Sequence, residues 1–547
     1  VARAMADAFY SYDEPEDGPD RAAVDSMLPD AVKDFLRDFA HAVERGNLYD
    51  ITRCYTTEWA KLTDRYFQRT AWPSDAEVSP LVGDDETFMV LYRLLYHKHC
   101  MVYLAKHVPP KPKQYAESWE TYQEFFAMVL KDAGAEPDEE GAGGAGGDDE
   151  LGLELPSQWL YETLSEFVYQ YQTFRELCDS PKRLSEEEAA ELEKLNEVAW
   201  SLVDILTYLN TMVRLSGVID HLHETRTIPT GLLPQLGYFS LVSLCRVYAQ
   251  LGDYASALRT VEVLPLANEA VFSRAASCHI TLYYYMGFAM LMSRRYLDAL
   301  GTFSRALLYY ARTKHLHEKD YVMRKKSDQM LALLAACVVL CPGHRADDSV
   351  QEMLTKNYAE AMGRMVQGDA RGDQLTAFQD VFSYACPTFL NPVVLAKAEG
   401  APTAADVTAR QLSIFLREVK QRVDVLPQVR SYMRLYTNIA ATKLAAFSGV
   451  DADETHAQLA CVKIKMFQRL STDAAPVAGE WGGSDSLHFY VDGDIAKVEE
   501  VESTDTSAAF YAAAISKFDG LVGQVQRTTV RKAGEEKPKK ERRQKRE

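Results

Sequence analysis

Four residues in a row, His97-Lys98-His99-Cys100, are the first candidates for chemistry, because imidazole and thiolate groups are metal ligands. On a helix, residues two apart point about 200° apart, so His97 and His99 cannot close on one ion from a single face. The pairs His221/His223 and His315/His317 share that spacing. Cys337 and Cys341 stand four apart inside the most apolar stretch of the chain and read as small core residues. The glycine run GAGGAGG at 141–147 follows no strand, opens no helix and is flanked by acids that repel a phosphate. No G-x-S-x-G, H-E-x-x-H or P-loop pattern occurs, and no carboxylate pair stands apart from the others. The expectation is a protein that is not an enzyme and carries no metal or cofactor.

Basic residues offer the other chemistry, the neutralisation of phosphates. Lys463, Lys465 and Arg469 fall on what reads as one helix, and a solvated face is the plainer account of them. The tail is denser. Lys537, Lys539, Lys540, Arg542, Arg543, Lys545 and Arg546 make a short arm that could meet RNA without defined shape. An inert solubilising tail or a localisation signal would have the same composition.

The elements that would carry these residues come from a 547-residue chain of 61.5 kDa and formal net charge −19. That charge is uneven. Residues 1–30 carry net −6 and residues 134–154 net −8, while residues 527–547 carry net +6. The body is therefore only mildly acidic. Segments 1–30 and 134–153 have too little apolar surface to offset their ordering entropy, and read as a flexible acidic terminus and an acidic Gly-rich linker. Nine scattered cysteines without C-x-x-C fit reduced thiols, and no secretory signal is visible. The longest apolar run, Met330 to Cys341, is 12 residues, short of a membrane span. A soluble, cytoplasmic protein is expected.

Periodicity predicts helices almost throughout. Residues 31–133 form an N-terminal helical region, with Phe88, Leu91, Tyr92, Leu95 and His99 on one buried stripe. Residues 154–400 form a helical-repeat region. Within it, 241–258 aligns with 283–300 at an offset of 42, matching Tyr254 to Tyr296 and Ala257-Leu258 to Ala299-Leu300. The second copy, through Phe303 and Ala306, resembles the tetratricopeptide pattern, with Gly287 and Ala299 as close-approach positions. In residues 401–505, Met433, Tyr436, Ala440, Leu444 and Phe447 read as one helix, and Leu459, Val462, Met466 and Leu470 as a second. A hairpin with a three-residue loop, Asp492-Gly493-Asp494, follows. Helix, helix, β-hairpin is the element order of a winged helix. A last helix, residues 506–526, places Tyr511, Ile515, Phe518, Val522 and Val525 at spacings of 4, 3, 4 and 3, a stripe that calls for a partner helix. The fold class expected is mostly α: a tetratricopeptide-like helical repeat capped by a small winged-helix α/β module and a terminal helix.

The stretches RYFQRTAWP (65–73), LVGDDETFMVLYRLLYHKH (81–99), ELPSQWLYETLSEFVYQYQTF (154–174), VFSYACPTFLNPVV (381–394) and VRSYMRLYTNIAATKLAAF (429–447) carry a further signal. On these, and on 236–258 and 281–299, the chain resembles the L-subunit family of eukaryotic translation initiation factor 3, a PCI-domain family. The resemblance runs from about residue 60 to 525 and leaves out the insert at 134–152 and the tail. It implies a curved helical stack capped by a winged helix, in a non-enzymatic scaffold on the small ribosomal subunit. Its implied partners are other PCI and MPN subunits, the K and E subunits among them. It also implies that the winged-helix strands pair edge to edge, through His488, Phe489, Tyr490 and Val491 or through Ile495 to Val501, with Val498 in that run. The helix stripe from Tyr511 to Val525 would enter a bundle. A proteasome-lid or signalosome-type PCI subunit and a winged-helix RNA binder are the alternative readings.

Overall fold

The computed structural model describes residues 28–83, 85–132, 153–179, 184–225, 231–264, 275–316, 320–341, 346–367, 371–391, 403–472, 477–483, 487–500 and 505–527. The acidic N-terminus up to residue 27, the Gly-rich insert at 133–152 and the basic tail from 528 lie outside them. The chain divides into two compact units. The first holds residues 1–424 and 468–482, and the second holds 425–467 and 483–547. The winged-helix region expected to start at 401 thus loses its first helix, Ala404–Lys420, to the first unit.

The first unit begins with Asp30–Glu44 (α1), Glu86–Lys98 (α2), Pro112–Asp132 (α3) and Ser157–Asp179 (α4), with shorter helical turns between α1 and α3. They are followed by Leu202–Leu215 (α5), Leu232–Leu251 (α6), Tyr254–Val261 (α7), Ala276–Met292 (α8) and Tyr296–Thr313 (α9). Tyr321–Leu340 (α10), Asp348–Gln367 (α11), Arg371–Ala385 (α12) and Ala404–Lys420 (α13) come next, and shorter helices Glu186–Val198 and Val218–Thr225 flank α5. Helices α4, α6, α8, α10 and α12 form a row in which each packs on the next, with α7, α9 and α11 between them. Helix α8 is buried on nearly every side, as its uniformly apolar sequence requires, whereas α9 buries one stripe.

The internal repeat is visible as the hairpins α6–α7 and α8–α9. A Cβ on Gly287 would stand 2.5 Å from the Phe303 ring, so glycine is what lets α8 and α9 approach. Both hairpins turn through the same pair of hydrogen bonds. Gly252 N–H donates to Ala249 and Asp253 N–H to Tyr248; Arg294 donates to Leu291 and Arg295 to Met290. The first copy has glycine in the left-handed position at φ +84, but the second has Arg294 at φ +66. A left-handed non-glycine costs about 1–2 kcal/mol, and glycine returns part of that through unfolded-chain entropy. Arg294→Gly is therefore expected to stabilise the chain by about 0.5 kcal/mol, read as a higher urea midpoint at unchanged slope. An unchanged or lower midpoint contradicts the strain argument.

In the second unit, Leu426–Leu435 (α14) leads to strand β1 (Asn438–Ala440), then Ala441–Ser448 (α15) and Ala452–Met466 (α16). The single helix expected from Met433 to Phe447 is thus two helices split by a strand. Apolar spacing across the break mimics a helix, but Asn438, Ile439 and Ala440 pair with Lys497, Ala496 and Ile495. Leu470 lies not on a helix but on β2 (Phe467–Leu470), which pairs with β3 (Glu480–Gly483), and residues 468–482 of these strands belong to the first unit. Strands β4 (Leu487–Asp492) and β5 (Ile495–Glu500) make the expected hairpin. Asp492 pairs with Ile495, so the loop has two residues rather than three, and Gly493 takes φ +61 at its first position. Sheet order is β1-β5-β4. The small core beneath it holds Val429, Met433, Ile439, Leu444, Leu459, Val462, Phe489 and Ala496. Asp505–Arg527 (α17) ends the described chain.

Candidate functional site

Of the histidines and cysteines weighed as metal ligands, His97, His99, Cys337 and Cys341 are buried. His97 is buried, and burial together with nearby Arg93 pushes its pKa down to about 4. His99 opens a π-helical turn and its Nε2 meets Thr70 O at 3.1 Å. Cys337 and Cys341 are buried free thiols. Among the described residues, no three His, Cys, Asp or Glu side chains are placed to hold a metal ion.

One polar cluster lies between α2, α4 and the turn after Arg53. Lys98 Nζ donates to Glu162 Oε2 at 2.5 Å and to Tyr55 OH at 2.8 Å, and Tyr55 OH donates to the same carboxylate. Burial works against the charge on both partners, but Tyr55 and Glu162 together outweigh it at Lys98, which is raised. Lys98 with the Tyr55 and Gln158 hydrogen bonds outweighs it at Glu162, which is lowered. A carboxylate so held is a brace, not a base awaiting substrate. Beside it, Glu166 is buried and accepts from Gln170 Nε2 at 3.2 Å. Burial pushes its pKa up to about 7, against the pull of Lys98, Gln170 and Arg246.

A carboxyl that is harder to ionise folded than unfolded contributes fully below its unfolded pKa, and that contribution fades as pH rises towards 7. Glu166→Gln is accordingly expected to be more stable than the parent chain at pH 8, by roughly 1–3 kcal/mol. The difference should shrink as pH falls to about 4.5; melting temperatures across pH 4.5–8 read it directly. A pH-independent difference contradicts the assignment.

The remaining features are surfaces. On α17, Tyr511, Ile515, Phe518, Val522 and Val525 are each between 53% and 72% exposed. Leu521, absent from the expected stripe, is exposed beside Phe518 and Val525, because the four-three spacing broadens to a face one residue wider. A helix with six large apolar side chains in water is incomplete by itself.

The strands divide differently from expectation. β5, with Ile495 and Val498, is the middle strand, paired on one side by β1 and on the other by β4, so it cannot offer an open edge. β4 has no described strand on its outer side. Counting from the Asp492–Ile495 closure, Leu487, Phe489 and Val491 direct their backbone N–H and C=O groups to that side. The Phe489 side chain points into the small core, His488 and Val498 are half-buried, and Tyr490, Val491 and Ile495 are exposed. Lys463, on α16, donates from Nζ to Phe489 O at 2.9 Å, and its ammonium lies 5.9 Å from the Phe489 ring centroid. The lysine thus covers one edge carbonyl and is not offered to a nucleic acid. Arg469 is not on that helix: it lies on β2, 5.5 Å above the Trp481 ring. The tail lysines and arginines fall outside the described residues.

Comparison with known proteins bears on these surfaces. A family model described as RNA polymerase I-associated factor PAF67 matches residues 114–518. Eukaryotic translation initiation factor 3 subunit L of Drosophila melanogaster is 35% identical over 526 residues, covering 91% of this chain and 92% of that protein. Subunit L of Drosophila mojavensis is 34% identical over 521 residues, with the same coverage. That of Drosophila ananassae is 34% identical over 533 residues, covering 92% and 94%. Similarity at this level along nearly the whole of both chains, taking in the repeat hairpins, the small sheet and most of α17, establishes descent: the chain belongs to the family of eukaryotic translation initiation factor 3 subunit L.

Proposed function

We propose that this chain is a non-catalytic scaffold subunit of a translation initiation factor 3 assembly, working in the cytoplasm on the small ribosomal subunit. The observation that carries the reading is the exposed apolar face of α17, which a lone protein has no use for and a helix bundle would bury. In this reading, residues 425–467 and 483–500 form the winged-helix module of a PCI protein. The order helix, strand, two helices, hairpin, with the first strand joining the sheet, supports that name. The outer side of β4, where Lys463 covers the Phe489 carbonyl, is the edge that would pair with a neighbouring PCI subunit, with the K and E subunits as the partners to test. Support of pre-initiation complex formation and mRNA recruitment follows from holding those neighbours on the 40S particle.

A proteasome-lid or signalosome subunit would use the same two surfaces, and family membership favours the initiation assembly over it. A nucleic-acid reader built on α16 is disfavoured by the Lys463–Phe489 contact. Sedimentation of the tagged chain from cytosolic extract through a sucrose gradient tests the reading. Migration with 40S particles and the other initiation factor 3 subunits is expected. Migration as a lone 61.5 kDa protein contradicts it.

A further inference from the structure

Among the described residues of this acidic chain, the end of α9 and the start of α10 carry an excess of exposed cations. Residues 305–328 hold seven Lys and Arg against three Asp and Glu, in a chain of net charge −19. They span the end of α9 and the start of α10, all in the first unit. Arg312, Lys314, Arg324 and Lys325 are exposed, and no ion pair among the described residues engages any of the four.

Helix energetics do not account for half of them. Arg312 and Lys314 sit at the C-terminal end of α9, where the helix dipole favours cations. Arg324 and Lys325 stand one turn in from the N-terminus of α10, which Asp320 caps, so the helix end gives no stabilising reason for them.

The same face presents rings. Tyr321, Arg324 and Lys325 stand at i, i+3 and i+4 on α10, with the Arg324 guanidinium 5.6 Å from the Tyr321 ring centroid. Tyr321 is 62% exposed, and Tyr384, at the end of α12, is 55% exposed. Gln329 Nε2, on α10, donates to Tyr384 O at 3.4 Å, which sets the end of α12 against that helix. Asp320, the N-cap of α10, and Asp328, one turn beyond Arg324, are carboxylates that bound the patch.

We propose that this face binds single-stranded RNA, the four cations meeting successive phosphates and Tyr321 and Tyr384 stacking on bases. Cations interleaved with exposed tyrosines are how unstructured strands are held without sequence preference, the charges meeting phosphates and the rings the base faces. The proposal concerns the purified chain and is independent of the assembly reading.

Fluorescence anisotropy with a fluorescein-labelled 15-nucleotide oligouridylate and the full chain, at 50 to 200 mM salt, tests it. Arg324→Glu with Lys325→Glu is expected to weaken binding at least tenfold and to flatten the salt dependence. Tyr321→Ala is expected to weaken it roughly fivefold or more with the salt slope unchanged, since stacking releases no counterions. Charge reversal in the tail, Lys539→Glu with Lys540→Glu, should leave the Tyr321 effect intact. All three sites are surface residues or tail residues, and circular dichroism checks that each variant stays folded. Absence of binding by the parent chain overturns the proposal, as does parental affinity in both face variants. Unchanged RNA affinity with loss of initiation factor subunits from the purified complex would make the face a protein interface instead, and overturns it equally.

Discussion

Ile515→Asp with Phe518→Asp is expected to release the chain from its assembly while leaving its own fold intact. Both side chains are more than 60% exposed on α17, so neither supports the chain's own core, and helix propensity costs only about 0.5 kcal/mol for each aspartate. In a bundle each would be buried, and full burial of an Ile or Phe side chain contributes about 1.5–3 kcal/mol. Losing both removes roughly 3–6 kcal/mol of docking free energy before the cost of burying two carboxylates. At 1.4 kcal/mol per tenfold, that is roughly 10²- to 10⁴-fold in affinity. Co-purification of other subunits should fall below detection while the far-ultraviolet dichroism of the isolated variant matches the parent. Recovery of those subunits at parental level would remove α17 from the account of assembly.

The second large effect is expected at Asp298, on stability. Arg295 and Asp298, at the start of α9, form an ion pair with both side chains under a tenth exposed; Nε lies 2.7 Å and Nη2 2.6 Å from Oδ2. The pair grips the β2–β3 segment of the first unit. Ser471 N–H donates to Asp298 Oδ1 at 2.9 Å, and Arg295 Nη1 donates to Val477 O. Gly479 closes over the guanidinium at φ +68; a Cβ there would stand 2.8 Å from Nη2 and 3.0 Å from Leu470 O. Asp298→Ala leaves a buried guanidinium without its counter-charge and a backbone donor without an acceptor. Removing one partner of a buried pair costs about 3–5 kcal/mol. Urea unfolding should show that loss, and amide exchange at Ser471 should rise. The double replacement Arg295→Met with Asp298→Leu should be less damaging than the single one, because no charge is stranded. A single variant within about 1 kcal/mol of the parent contradicts the argument.

How much of this could be read from residues alone depended on the range of the interaction. The repeat hairpins and α17 were legible, since period-3.6 stripes and a glycine between two aromatic helices are local signals. β1 was not: three residues between two helices carry little pattern, and their partner, β5, lies more than 50 residues away. For the same reason the middle strand of the sheet could not be told from its edge. Lys463 as a cover for β4, and Arg295 as an anchor for a hairpin more than 170 residues on, depend on tertiary placement alone. The candidate surface was therefore half legible, its helix in the spacing and its strand only in the fold.

Quantitative mass spectrometry of proteins recovered with the intact tagged chain from cytosol tests the central claim most directly. Initiation factor 3 subunits in near-stoichiometric amount, together with small-subunit ribosomal proteins, are the predicted result. Recovery of RNA polymerase I or proteasome-lid subunits in their place, or of the chain alone, would contradict it.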